Sequence, residues 1–359
     1  MKILIVKLSS LGDVVHAMPA VRDMVRAFPN AQIDWVVERG FVPLVRRCKG
    51  VHRVIASDLR GWRKALFSAD THQAWGRFKA DLQTDAYDAV IDLQGLSKSA
   101  LVAWMAKLAD GGKRYGLANQ TEGSSFEAPA RWVADEAIAL PTHIHAVARS
   151  RALCAQALGY TLPVELNYGL LAQVDKAPSA IKDAAFKAGL LGIVALVHGT
   201  SRADKQWPIG HWQQLINQLN AAGYGVALPH GSAQEEDVAL AIAQGMRHAQ
   251  VWPRLPLDAL TDALATCTGV IGVDSGLSHM AVALDLPHVQ IYNFDTAWRT
   301  GPEAAQPAAL GAPSTRQVSV FERPTPSVDS VWQAWQTVLS AAQMPRPKSR
   351  FGPSGFATL

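Results

Sequence analysis

Residues 3–19 read ILIVKLSSLGDVVHAMP: a short apolar strand, a small polar turn and the start of an apolar helix. A continuous apolar run that enters a helix through a tight turn marks the first strand of a doubly wound α/β protein, and that turn faces the ligand crevice. A dinucleotide site would put three glycines there, so that a pyrophosphate could approach the backbone. This turn has Gly12 alone, followed by Asp13. A carboxylate repels phosphate, so Asp13 either caps the helix or takes a proton from something bound beside it. For an isolated residue at a helix start, capping is the favoured role.

Outward from this turn, apolar runs follow at α/β spacing: QIDWVV at 32–37, RVIA at 53–56 and DAVIDLQ at 88–94, with helix-length segments between them. A loop at 160–180, marked by Pro163, Gly169 and Pro178, precedes a second series. It comprises GIVALVHG (192–199), YGVALPHG (224–231), QVW (250–252), GVIGVD (269–274) and HVQIYN (288–293). Pro208 to Leu219 reads as a helix with proline near its first position. Two Rossmann-like halves, 1–165 and 180–325, are therefore expected to face each other across a cleft. Residues 327–343 read as a closing helix and 345–359 as a loose tail.

Composition narrows the class. The chain has 359 residues, 49% apolar and 18% charged, enough for one or two full cores and unlike a disordered or fibrous protein. Cys48, Cys154 and Cys267 are far apart and odd in number, which argues against a disulfide framework and fits a reducing cytoplasm. The apolar run Ile3 to Val6 stops at Lys7, too short for a signal segment, and no run approaches a spanning helix. A soluble or at most membrane-associated protein is expected. Between Arg46 and Lys64 lie seven Lys or Arg residues against Asp58 as the only acid. Such a run is either a solvated face or a surface for phosphates and other anions. Nucleic acid is the least favoured partner, because no module signature accompanies the run and no aromatic residues interleave it at stacking positions.

The second half carries phosphate-type turns. In HGTSRADKQWP (198–208), Thr200 and Ser201 follow a strand and can hold phosphate oxygens, while Lys205 supplies positive charge; the ordinary alternative is a polar loop with a surface lysine. In GVDSGLSHMAVALD (272–285), Asp274 and Ser275 open a helix through Gly276, with His279 one turn in on the side of Ser275. Alone, either would be an ordinary N-cap. In PHGSAQEED (229–237), Glu235 is either a favourable acid at a helix start or an acceptor for ribose hydroxyls.

Taken in order, KLSSLGDVVHAMPA, DWVVE, GWRKA, YDAVIDLQGLSKSA, HGTSRADKQWP and VDSGLSHMAVALD resemble the lipopolysaccharide heptosyltransferases, over Met1 to about Gly301. The resemblance implies the GT-B architecture, two Rossmann-like domains with the acceptor on the N-terminal one and the nucleotide sugar on the C-terminal one. It implies transfer of L-glycero-D-manno-heptose from ADP-heptose to the Kdo of Kdo-lipid A, with inversion, at the cytoplasmic face of the inner membrane. By the same resemblance Asp13 is the general base, with Ser10 and Gly12 its supporting turn. Thr200, Ser201 and Lys205 match the pyrophosphate loop, Glu235 the ribose contact, and Asp274, Ser275, Gly276 and His279 the donor turn. Arg60, Arg63 and Lys64 match a basic segment for the phosphorylated, carboxylate-bearing acceptor. Two stretches depart from the family pattern: Gly61 replaces an arginine, and NFDTAWRTGP (293–302) replaces a loop richer in Gly and Pro. No D-x-D signature occurs, so neither metal nor cofactor is expected. Competing readings are another transferase of the family, a nucleotide-sugar epimerase on the same architecture, and a non-catalytic sugar-nucleotide binding module.

Overall fold

The computed structural model describes residues 1–65, 67–182, 188–303 and 316–343. Its strands form two six-stranded sheets, and every pairing is parallel. The first comprises β1 (Lys2–Val6), β2 (Gln32–Glu38), β3 (Val51–Ser57), β4 (Tyr87–Asp92), β5 (Leu108–Leu117) and β6 (Glu136–Ile138), in the order β3-β2-β1-β4-β5-β6. The second comprises β7 (Gly192–Val197), β8 (Tyr224–Leu228), β9 (Ala249–Val251), β10 (Gly269–Val273), β11 (His288–Tyr292) and β12 (Gln317–Phe321), in the order β12-β11-β10-β7-β8-β9. Counted from its own first strand, the second sheet repeats the first. This is the doubly wound order, and its crevice opens where the winding reverses, between β1 and β4 and between β7 and β10.

Helices cover both faces, which is why the central strands are apolar throughout. Ile3 and Ile5 of β1 join a cluster with Trp35, Ile91 and helix α1 (Leu11–Ala27), while Leu4 and Val6 point the other way, toward Phe78 and Leu82. The remaining long helices of the first half are α2 (Leu59–Lys64), α3 (Ala69–Leu82), α4 (Ser97–Met105), α5 (Ala128–Val133) and α6 (Ala146–Leu158). Those of the second are α7 (Ile209–Ala221), α8 (Ala233–Ala243), α9 (Leu257–Leu264), α10 (Gly276–Ala283) and α11 (Val328–Gln343). Helix α11 buries Val331, Trp335 and Val338, spaced along one face, against Trp207, Trp212 and Ile291. A Cβ on Gly269 would stand 2.7 Å from the Trp335 ring, so this strand position leaves room for the indole.

The apolar runs read from the sequence are strands, and RVIA lengthens to Val51–Ser57. Three further strands, β5, β6 and β12, carry no continuous apolar run. β5 reads LADGGKRYGL, with a register shift against β4 between Tyr87 and Ala89; β6 has three residues; β12 is an edge strand, only half-buried. Strands at or near a sheet edge need no apolar residue on their outer side. Helix α7 begins at Ile209, with Pro208 as its N-cap rather than its first residue. The segment 345–359, read as a loose tail, lies outside the described residues. Among the described residues no helix is long and apolar enough to cross a membrane.

Candidate active site

The two crevices face each other. β1 turns through Lys7–Ser10 into α1, and β10 turns through Asp274 and Ser275 into α10. The two helices touch near their first turns: a Cβ on Gly12 would stand 2.7 Å from His279 Cδ2, and one on Gly276 would stand 2.6 Å from Leu11 Cγ. Glycine at both positions permits that approach. Both N-termini open on one cavity of about 260 Å³, where their positive ends favour an anion.

Ser10, Gly12, Asp13, Ser201, Lys205, Asp274, Ser275, Gly276 and His279 all line this cavity. Thr200 stands behind it, donating to the Asp274 carbonyl at 3.3 Å. Glu235 lies outside it, its carboxylate accepting from the Gly231 N–H at 2.7 Å and abutting Gly199. Arg60 reaches the rim and donates to Ser9 Oγ at 3.2 Å, whereas Arg63 and Lys64 are exposed on the last turn of α2. The basic run that carries them is not one surface. Arg47 pairs with Asp262 of α9 at 2.8 Å, and Arg53 with Asp34 at 2.8 Å and Asp81 at 3.1 Å.

Asp13 is not the N-cap of α1. That position belongs to Ser10, whose N–H and hydroxyl donate to Asp13 Oδ2 at 3.1 and 3.0 Å. The second oxygen, Oδ1, faces Lys7 Nζ at 3.4 Å and Arg149 Nη2 at 3.8 Å. Burial alone would raise the pKa of this carboxyl, but Lys7, the Ser10 N–H and Arg149 outweigh it and hold the group well below the usual carboxylate range. Lys7 is 1% exposed and also donates to the Leu93 carbonyl at 3.1 Å; burial lowers its pKa against the pull of Asp13. Asp92, nearby and fully desolvated, is pushed up to about 6 by burial despite the N–H groups of Gln94 and Gly95.

Across the cavity Asp274 is held by Lys205 Nζ at 2.5 Å, His279 Nε2 at 3.4 Å and the Thr300 hydroxyl at 3.3 Å. Burial opposes ionisation here too, and His279 and Lys205 overcome it, so the carboxyl stays well below its ordinary pKa. Asp274 therefore fixes Lys205 and His279 in the cavity wall. Ser275 is the N-cap of α10, and its hydroxyl is buried without a hydrogen-bond partner while the residue lines the cavity. A buried polar atom of this kind is one that a ligand would satisfy. The His16 ring lies 4.2 Å from that of His279; burial, then His279, drives its pKa well down.

Four cations that no motif singled out complete the site. Lys7 ends the apolar run of β1 and opens the KLSSLGDVVHAMPA stretch. Arg149 comes from α6, where its guanidinium donates to Thr121 Oγ1 at 3.1 Å. Lys98, inside the QGLSKSA stretch, donates to Ser9 Oγ at 3.1 Å beside Arg60. Burial, then Arg60, lowers the Lys98 pKa, a crowding of cations that an anion would relieve. Arg299 belongs to the departing 293–302 loop and crosses the cleft to donate to the Gly123 carbonyl at 2.8 Å. Beside it Trp298 stacks on His143 at 3.6 Å, and His145 Nε2 donates to the Gly301 carbonyl at 3.0 Å. That loop thus ties the second half to the first.

A family model for glycosyltransferase family 9 (heptosyltransferase) matches residues 75–327. Lipopolysaccharide heptosyltransferase 1 of Escherichia coli (strain K12) is 39% identical over 295 residues, 81% of this chain and 88% of that protein. Lipopolysaccharide heptosyltransferase 2 of the same strain is 28% identical over 305 residues, 81% of this chain and 82% of that one. Among solved structures, the E. coli heptosyltransferase WaaC with ADP superposes with a TM-score of 0.79 at 31% identity, covering 94% of this chain and 100% of that one. Fold, cavity and sequence agree: the chain belongs to glycosyltransferase family 9, the heptosyltransferases.

Proposed function

We propose that this chain moves L-glycero-D-manno-heptose from ADP-heptose to the Kdo of Kdo-lipid A, in one displacement that inverts the anomeric carbon. The observation that carries the reading is a single cavity with Asp13 on one wall and Lys205 and Ser275 on the other. A sugar hydroxyl is a poor nucleophile at neutral pH, so a carboxylate must accept its proton as the bond to diphosphate breaks. Asp13, whose pKa Lys7, the Ser10 N–H and Arg149 hold below the usual carboxylate range, is the carboxylate placed to accept that proton. The departing diphosphate gains charge, which Lys205, the Ser201 and Ser275 turns and the N-terminus of α10 are set to stabilise without a metal. Thr200 supports the donor turn from behind, and Glu235, beyond the cavity, meets the ribose.

On the acceptor side Arg60 and Lys98 at Ser9, with Arg63 and Lys64 beyond, form the basic approach for an anionic lipid-linked sugar. Such an acceptor resides in a bilayer, so the protein works at the cytoplasmic face of the inner membrane as a peripheral protein. A mass-spectrometric transfer assay tests the whole reading. ADP-heptose with Kdo-lipid A should give the heptosylated product, and a heptose-terminated lipid A should not. Turnover of ADP-heptose without acceptor would instead mark an epimerase.

Replacing Arg60, Arg63 and Lys64 together with Ala is expected to raise the KM for Kdo-lipid A and flatten its salt dependence, with ADP affinity unchanged. A fall in ADP affinity at constant acceptor KM would reverse the assignment of substrates to halves.

A further inference from the structure

We propose that the face formed by α4 and α5 is the surface by which this protein lies on an anionic phospholipid bilayer. The inference rests on the peripheral-membrane reading above and adds which surface does the binding. Helices α4 and α5 start side by side, because the Ser97 N–H and hydroxyl donate to the carboxylate of Glu127, the N-cap of α5. At that end Lys98 reaches Ser9 on the cleft rim. One turn and two turns further along, α4 turns Leu101 and Trp104 outward, 42% and 64% exposed, and α5 turns out Trp132, 77% exposed. Leu101 and Trp104 are three residues apart and so share one face of the helix.

Large apolar side chains this exposed, grouped on neighbouring helices, mark an interaction surface. Beside Trp104 lies a groove of about 490 Å³, lined by Trp75 and by Lys79 and Lys107. Both lysines are exposed, and among the described residues neither makes an ion pair. Of the acids near the groove, Asp135 lies 3.8 Å from Arg114, which also lines it, Asp81 pairs with Arg53 at 3.1 Å, and the exposed Asp110 follows Lys107 by three residues. The groove thus joins indoles to two lysines that make no ion pair among the described residues.

That combination suits a lipid headgroup region. Tryptophan is amphipathic and settles at the boundary of acyl chain and headgroup, while lysines beside it meet anionic phosphates. A second copy of the chain is a poorer occupant, since a twofold contact through this patch would set its lysines against each other. Lys98 and Trp104 are six residues apart, about 9 Å of helix rise. A bilayer under the tryptophans therefore lies within reach of the cleft rim, where a membrane-anchored acceptor must present its sugar.

The test is co-sedimentation of the full chain with phosphatidylglycerol–phosphatidylethanolamine vesicles, against phosphatidylcholine vesicles. Wild type is expected to pellet with the anionic vesicles. Trp104→Ser with Trp132→Ser should weaken that binding at least tenfold, and Lys79→Gln with Lys107→Gln should remove most of its salt dependence. All four positions are outside the cavity, so turnover of a deacylated, water-soluble acceptor should match wild type. If wild type ignores both vesicles, peripheral binding itself fails. If it binds and both double variants bind equally well, only this face is wrong. A wild-type dimer that the tryptophan substitutions make monomeric, with vesicle binding intact, would mean that the face joins two copies instead.

Discussion

Asp13→Asn is expected to keep ADP-heptose binding and lose transfer by a factor on the order of 10² to 10⁴. Asparagine can still accept from the Ser10 N–H, so the local turn that Asp13 builds at the start of α1 survives. It cannot accept a proton. Its side chain also leaves Lys7, 1% exposed, without the carboxylate 3.4 Å away, with Arg149 still opposing its charge and Asp92 the remaining acid that favours it. A modest loss of stability is therefore part of the expectation, on the order of 1 kcal/mol because Asp13 is itself about a third exposed. A melting curve a few degrees lower, normal ADP titration and near-absent product together identify the base. Normal kcat would leave Asp13 as a structural partner of Ser10 and Lys7.

Lys205→Ala should weaken ADP binding by roughly 10- to 100-fold, the consequence of losing a charge-assisted contact of about 1.5 to 3 kcal/mol. The same change deprives Asp274, 6% exposed, of its nearest cation. The two effects separate in the double variant Lys205→Ala with Asp274→Asn, which removes the orphaned charge but restores no cation. Stability should return and ADP affinity should not. The pH dependence carries the same sign: the Asp274 pKa is depressed in the fold, so its contribution is full above the unfolded carboxylate value and disappears as acid protonates the folded group. In Lys205→Ala that contribution shrinks at neutral pH. Calorimetry with ADP showing wild-type affinity in the single variant would return Lys205 to the role of counter-ion for Asp274.

The sequence exposes those parts of the fold whose residues announce their own environment. The central strands were legible because burial on both faces forces an unbroken apolar run, as in ILIV and GVIGV. β5 was not, because Gly111 and Gly112 interrupt it and its polar residues lie near the sheet margin. In the site, Asp13, Lys205 and Ser275 were legible because each follows an apolar strand, where doubly wound proteins collect ligands. Arg149 and Arg299 sit in ordinary helical or loop surroundings; only the folded chain brings one within 3.8 Å of Asp13 and the other across to Gly123. The basic run misled in the other direction. Its charge is local in sequence, but Arg47 and Arg53 belong to ion pairs made far along the chain.

One apolar cluster runs from Ile3, Ile5 and Met18 in the first half to Val197, Leu260 and Met280 in the second. The halves are accordingly expected to unfold together in a single calorimetric transition, since neither can lose its packing without stripping cover from the other. Hydrogen exchange with ADP added should then slow at amides of the first half as well as the second, because a nucleotide bound to one half raises the free energy of opening for the shared interior.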